Sequence, residues 1–121
     1  FTAGKNWTQT GAFGPYMTTA DEIPDPHALT IHTWLNGMLV QNDSTGSMIH
    51  KVADLIAYIS TFTSLSAGDV IITGSPGGVG KKRNPPLFLH DGDRVEVEIE
   101  NVGRLVNTIV EAQLQPQALA V

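Results

Sequence analysis

The dipeptide Asn36-Gly37 separates a run in which apolar and mainly polar residues alternate, residues 29–35, from a second, apolar run at residues 38–40. Alternation of this kind is typical of a β-strand with one buried face. A two-residue type I′ turn needs positive φ at both central positions, which Asn and Gly adopt more readily than other residues. The sequence therefore predicts a β-hairpin centred on this dipeptide.

One segment, residues 47–63, has the periodicity of a helix. Its apolar residues fall at helical spacing with no glycine or proline among them: Met48, Ile49, Val52, Leu55, Ile56, Ile59 and Phe62. Ser47 stands where an N-cap side chain would satisfy the amides of the first turn. We expect one clear α-helix that begins after Ser47.

Two glycine turns each lead into a β-branched run, at residues 66–70 and 90–95, and both predict the start of a strand. The second run alternates valine and isoleucine with glutamate, which predicts one wet face: Val95, Val97 and Ile99 against Glu96, Glu98 and Glu100. A turn at residues 101–103 then predicts a second hairpin. Together these elements indicate an α+β fold that is predominantly β, with one helix.

Composition excludes several classes of protein. A chain of 121 residues fits one domain, and the absence of cysteine excludes disulfide frameworks, thiolate nucleophiles and cysteine zinc sites. The formal net charge of −5 disfavours nucleic-acid binding, and no apolar run is long enough to favour a membrane or secretory interpretation. We expect a cytoplasmic protein. Only 16% of residues are charged and the chain starts at Phe1 without a methionine, so we expect a piece of a larger protein whose surface is partly covered.

A glycine cluster at residues 73–80 superficially suggests a nucleotide-binding P-loop. The pattern fails because Ser75 occupies the place of the first glycine and Lys82 the place of the magnesium-binding hydroxyl residue. The prolines at 85 and 86 also interrupt the helix that would receive the phosphates.

Other side-chain groups favour ordinary structural roles. The four histidines have no metal-ligand spacing, so a structural or solvated role is favoured for each. The glutamates of the second strand could form a carboxylate cage, but a solvated face is the favoured interpretation. The serines lack the motif of a serine hydrolase.

Four pieces occur together in a characteristic order: residues 4–7 (GKNW), 13–16 (FGPY), 19–26 (TADEIPDP) and 68–80 (GDVIITGSPGGVG). In this combination the chain resembles the C-terminal part of the fumarylacetoacetate hydrolase family over about residues 1–112. The resemblance implies a mixed β-roll with short helices, usually dimeric, that binds Mg²⁺ or Mn²⁺ and acts on 2-oxo acids through an enolate. We expect the domain to span residues 1–113 and a tail to follow at 114–121.

The resemblance also assigns site residues. Lys5 matches the family's lysine near the developing oxyanion, and Thr73, Gly74 and Ser75 match the turn that contacts the substrate carboxylate. A simple turn capped by the Ser75 hydroxyl is the structural alternative. Thr8 and Gln9 fall near the family's metal site, in a looser match.

The family's metal ligands, a Glu-x-Glu pair and an aspartate, have no counterpart in this chain, because in the family they precede the lysine. The resemblance therefore implies that the ligands lie before Phe1, in an N-terminal part of the same protein, or in a second polypeptide. Two hypotheses follow. The chain is part of a carbon–carbon bond hydrolase, with decarboxylase or isomerase activity as alternatives, or it is a non-catalytic assembly domain.

Overall fold

A computed structural model describes residues 6–112 of the 121-residue chain. Its main feature is one antiparallel four-stranded sheet in the order β2-β1-β3-β4, accompanied by one α-helix. The elements are β1 Thr30–Leu35, β2 Met38–Ser44, α1 Val52–Ile59, β3 Arg94–Ile99 and β4 Gly103–Thr108, with 3-10 turns at Ala20–Glu22, Thr45–Ser47 and Gly80–Lys82. The expected mainly β architecture with one helix is confirmed.

The predicted hairpin at Asn36-Gly37 joins β1 to β2, and both residues adopt positive φ, at 50° and 81°. The turn is fastened to the next strand pair as well. The Asn36 side chain donates to the Asp93 carboxylate at 2.8 Å and accepts from the Arg94 backbone nitrogen at 2.8 Å. A local sequence signal and a tertiary contact therefore fix the same turn.

Helix α1 is shorter than expected, and the predicted N-cap at Ser47 is wrong. The Ser47 hydroxyl instead donates to Asp43 and to the Ser44 carbonyl, which closes a 3-10 turn before the helix. The N-cap position belongs to Lys51, and the first helical amide, Val52, donates to His27 Nε2 at 3.0 Å. A side chain from a distant loop thus accepts a hydrogen bond from the first backbone N–H of the helix, for which the neighbouring residues supply no capping side chain.

The strand predicted after residue 69 does not form within the described part of the chain. Val70, Ile71 and Ile72 run without a strand partner, and Ile72 is 91% exposed. A β-strand exists only by pairing, so β-branched composition alone does not make one. The second expected strand, by contrast, is β3, and its hairpin with β4 is confirmed.

The two faces of the sheet differ in chemistry, as alternation along paired strands requires. One face carries aligned apolar side chains: Ile31, Leu35, Val95, Val97, Ile99 and Leu105. Yet Leu29 and Leu35 are the only buried apolar residues among those that the structure describes. Leu35 is buried and the other five are half-buried, so this face is only partly covered.

The opposite face departs from the expectation of a solvated row of glutamates. Glu96 is only 6% exposed and is paired with Arg94 and Arg104, and the Arg104 guanidinium lies 4.7 Å from the centre of the Trp34 ring. Glu98 accepts a hydrogen bond from Arg104 Nε at 2.7 Å. The solvated-face interpretation is wrong for Glu96, because arginines and an aromatic ring from neighbouring positions cover it.

Candidate functional site

The turn at residues 73–77 borders a cleft of about 590 Å³ on the apolar side of the sheet. The sheet contributes Ile31 and Ile99, and the end of β2 together with the segment between β2 and α1 forms a second wall. The lining residues of that wall that carry polar chemistry are Asp43, Ser44, Thr45, Ser47 and His50. The cleft thus combines an apolar floor with a polar rim.

The turn itself presents hydrogen-bond donors that the chain does not use. Gly74 has φ of +109°, a conformation that favours glycine. Thr73 and Ser75 are exposed, and within residues 6–112 neither hydroxyl has a hydrogen-bond partner. The alternative in which Ser75 caps the turn is therefore not what the structure contains. Both hydroxyls are available to an acceptor such as a carboxylate.

Asp43 is a wall residue that the sequence analysis did not select. Its carboxylate accepts hydrogen bonds from the Ser44 backbone nitrogen at 2.7 Å and the Ser47 hydroxyl at 2.9 Å. These bonds, the backbone one first, lower the pKa of Asp43 below its ordinary value. The carboxylate therefore stays ionised at neutral pH and serves to fix the wall. The cluster of hydroxyl residues between hairpin and helix was the available signal.

His27 illustrates a structural role of the kind favoured from sequence. Its Nε2 accepts the Val52 backbone hydrogen bond, so that nitrogen carries no proton and the ring helps to begin α1. His50, in contrast, is exposed and lines the cleft. No histidine spacing in the sequence indicated that difference.

The remaining predicted site residues are Lys5, Thr8 and Gln9. Lys5 lies outside the described residues. Thr8 and Gln9 lie in a tight turn closed by the Thr10 hydroxyl on the Trp7 carbonyl at 2.7 Å, with Gln9 at φ of 61°. Neither lines the cleft that the Thr73-Gly74-Ser75 turn borders. Roles for these three residues stay predictions.

A metal does not fit the residues at hand. Across residues 6–112, no three His, Asp or Glu side chains come together as a metal-binding group. Hard divalent cations require several oxygen ligands. The carboxylate with the lowest exposure, Glu96, is already engaged by two arginines. The described part of this chain does not assemble a site for Mg²⁺ or Mn²⁺ by itself.

The expected source of the metal ligands is a segment that would precede Phe1. Phe1 itself lies outside the described residues, as does the rest of the segment up to Lys5. The structure therefore shows neither the ligands nor the point at which such a segment would join the chain. Their location before Phe1 stays a prediction.

Comparison with protein families decides the assignment. Residues 1–110 match the family model described as fumarylacetoacetate (FAA) hydrolase, C-terminal. The chain belongs to the fumarylacetoacetate hydrolase family. A curated relative, the mitochondrial oxaloacetate tautomerase Fahd2a of Rattus norvegicus, is 44% identical over 113 residues, which cover 88% of this chain and 36% of the relative.

Solved structures of the family share the fold. A fumarylacetoacetate hydrolase from Exiguobacterium antarcticum superposes with a TM-score of 0.78 at 42% identity, over 84% of this chain and 36% of that one. The maleylpyruvate hydrolase of Sphingobium sp. SYK-6, in complex with manganese(II) and pyruvate, superposes with a TM-score of 0.74 at 37% identity. The match covers 83% of this chain and 35% of that one. A 5-carboxymethyl-2-hydroxymuconate delta-isomerase from Mycobacterium smegmatis superposes with a TM-score of 0.71 at 34% identity. The match covers 83% of this chain and 36% of that one.

These family members are enzymes that differ in reaction: tautomerase, hydrolase and isomerase. The chain spans about 36% of the length of the curated relative above. Helices able to cross a membrane are absent from residues 6–112. The rat tautomerase is named as mitochondrial, and the cytoplasmic location expected for this chain stays a prediction.

Proposed function

We propose that this chain is the carboxylate-binding part of an enzyme that acts on 2-oxo acids through an enolate. One observation carries the proposal: the exposed Thr73-Gly74-Ser75 turn borders a cleft and presents two hydroxyls without partners in the described chain. A substrate carboxylate is a strong hydrogen-bond acceptor that suits such donors. The pyruvate complex of the maleylpyruvate hydrolase relative supports a 2-oxo acid as the ligand class.

Lys5 is proposed to act beside this turn. An ammonium group held near a developing enolate oxygen lowers the energy of the transition state more than that of bound substrate. Mg²⁺ or Mn²⁺ is proposed as the cofactor, and manganese accompanies pyruvate in the hydrolase relative. Because the described residues do not form a metal site, we propose that a segment before Phe1 or a second polypeptide supplies the ligands.

The proposed partner segment would also cover the apolar side of the sheet. Many large apolar side chains of the described residues are exposed, among them Phe13, Met17 and Val110. Ile49 and Ile72, at 92% and 91% exposure, are extreme cases. We propose that the remaining part of a family enzyme, in the same or a second polypeptide, packs here, and that the assembly is a homodimer. No nucleic acid or membrane is proposed as a partner.

Hydrolysis of a carbon–carbon bond in an acylpyruvate-type substrate is the first candidate reaction, because two structural relatives are named hydrolases. Tautomerisation of oxaloacetate is the second, because the 44% identical rat relative is named for it. Both reactions pass through an enolate, so the same turn and lysine serve either. Decarboxylation of oxaloacetate is the third candidate reaction.

The experiment compares these reactions in the assembled, metal-loaded enzyme. Acylpyruvate cleavage is followed by loss of the dicarbonyl absorbance, tautomerisation by the enol absorbance of oxaloacetate, and decarboxylation by release of carbon dioxide. Turnover of any one supports an enolate-forming enzyme. An assembly that is folded and metal-loaded yet turns over none of them would instead favour the non-catalytic assembly domain.

A further inference from the structure

The turn at residues 73–78 does not hold itself in place. Within the described chain, no backbone N–H of these residues donates a hydrogen bond, and the segment before them has no strand partner. Short loops keep a defined position only when something fixes their polar groups. The position of Thr73 and Ser75 must therefore depend on contacts from elsewhere.

Side-chain donors from two other segments supply those contacts. Gln41 Nε2 donates to the Gly77 carbonyl at 3.0 Å and to the Pro76 carbonyl at 3.3 Å. Arg83 Nε donates to the Gly78 carbonyl at 3.1 Å, and its guanidinium also binds the Val40 carbonyl. Three consecutive carbonyls that follow Ser75 are thus tied to β2 and to the residue after the Gly80–Lys82 turn.

The geometry of β2 makes Gln41 able to reach the turn. Thr33 pairs with Gln41 while Trp34 pairs with Leu39, so Val40 is an extra residue that forms a bulge. A bulge bends the strand and re-aims the neighbouring side chains. The Val40 carbonyl, left out of that pairing, is the one that Arg83 binds.

The fit between β2 and the turn is close. A Cβ placed on Gly78 would lie 3.2 Å from the Val40 carbonyl oxygen and 3.3 Å from Gln41 Cγ, and Gly78 has φ of +93°. A side chain at this position would therefore push the turn away from the strand and strain the backbone. Glycine permits the approach that the Gln41 hydrogen bonds require.

We propose that Gln41 is a positioning residue, which holds the Thr73-Gly74-Ser75 turn against β2 so that both hydroxyls face the substrate carboxylate. The proposal rests on the proposed function for its link to substrate, whereas the tie between Gln41 and the turn stands on the contacts above. Gln41 itself touches no reacting atom. Its amide acts through the carbonyls of Pro76 and Gly77.

The test compares Gln41→Met with Asn42→Leu in the assembled enzyme. Both changes replace a side-chain amide by an apolar group of similar size on the same strand. Asn42 is exposed, occupies the opposite face, and makes no side-chain hydrogen bond among the described residues. Gln41→Glu is a second variant, which keeps size and polarity but cannot donate when ionised.

Two measurements test separately whether the Gln41 hydrogen bonds hold the turn and whether the held turn favours substrate binding. The first is the amide order parameter of Gly77 by NMR on perdeuterated enzyme. We expect a fall from about 0.85 to below about 0.6 in both Gln41 variants, with no change in Asn42→Leu. The second is steady-state kinetics with a 2-oxo acid substrate. We expect KM to rise roughly tenfold, since two hydrogen bonds are lost, while kcat changes less than about twofold.

Each outcome decides a different claim. An unchanged order parameter in both Gln41 variants would overturn the claim that Gln41 holds the turn in place. A lowered order parameter with kinetic constants equal to those of Asn42→Leu would overturn the positioning role in catalysis. If the parent enzyme turns over no 2-oxo acid, the proposed function fails, and the order parameter still decides whether Gln41 holds the turn.

Discussion

The side chain of Asn36 lies 2.8 Å from the Asp93 carboxylate and thereby joins the turn of the first hairpin to the start of β3. This hydrogen bond is the largest cause that lowers the pKa of Asp93, followed by the His90 backbone N–H. A carboxylate whose pKa is lowered by folding stabilises the fold above its unfolded pKa. The stabilisation is lost as pH falls through the lowered folded value.

Asn36→Asp tests this relationship. The aspartate tolerates the positive φ of the turn but places a second carboxylate against Asp93. We expect a lower Tm than the parent at pH 7, and a difference that shrinks at acid pH as the two carboxylates become protonated. Asn101→Asp is the control, because Asn101 also has positive φ, at 59°, in the other hairpin. Equal effects of the two changes at pH 7 would contradict the contact's role.

Glu96→Gln is expected to destabilise the assembled enzyme. Glu96 is 6% exposed between Arg94 and Arg104, and loss of its charge leaves two guanidinium groups without their shared partner. We expect a cost of about 1–3 kcal/mol in the free energy of unfolding, measured by denaturant titration. Glu98→Gln, at a more exposed position, should cost less than about 1 kcal/mol. If Glu96→Gln lowers the free energy of unfolding no more than Glu98→Gln does, the ion pairs of Glu96 contribute no more than exposed surface pairs.

Lys5→Met is expected to reduce kcat more than it raises KM. An ammonium group that contacts the developing enolate contributes chiefly in the transition state, and loss of such a donor is worth roughly 100-fold or more in kcat. Lys82→Met removes a positive charge at an exposed position and serves as the control. Kinetics at saturating substrate and metal decide the matter, and a kcat equal to that of Lys82→Met would refute the role.

Exposed apolar side chains outside the sheet predict how the chain behaves alone. With Ile72 and Ile49 almost fully exposed, the isolated 121-residue chain should self-associate or unfold rather than persist as a monomer. Light scattering with circular dichroism measures both properties. A folded, stable monomer of 13.0 kDa in solution would remove the argument for a covering partner.

Local signals predicted part of this fold well. Asn36-Gly37 specified its hairpin because the required backbone conformation resides in those two residues. Features that depend on distant partners were not predictable in the same way. The start of α1 is set by His27, the segment at residues 70–72 lacks the partner that would make it a strand, and Glu96 is buried by arginines.

The residues of the candidate site also differ in whether a local sequence signal or a contact between distant residues identifies them. The Thr73-Gly74-Ser75 turn was selected by motif, because its residues are contiguous. Gln41 escaped selection because it lies 35 positions from Pro76 in sequence, and only the folded chain brings the two together. Asp43 and His50 join the cleft through the fold, with no spacing that indicates chemistry.

The most direct test of the account is the affinity of the assembled, metal-loaded enzyme for pyruvate, measured by calorimetry for the parent, Ser75→Ala and Ser64→Ala. Ser64 is also exposed and makes no side-chain hydrogen bond among residues 6–112, so it controls for loss of a surface hydroxyl. A charge-assisted hydrogen bond is worth roughly 1.5–3 kcal/mol, so Ser75→Ala should weaken Kd by about 10-fold to 150-fold with Tm unchanged, while Ser64→Ala leaves both unchanged. A Kd for Ser75→Ala equal to that of the parent, above all with a lowered Tm, would contradict carboxylate binding by this turn.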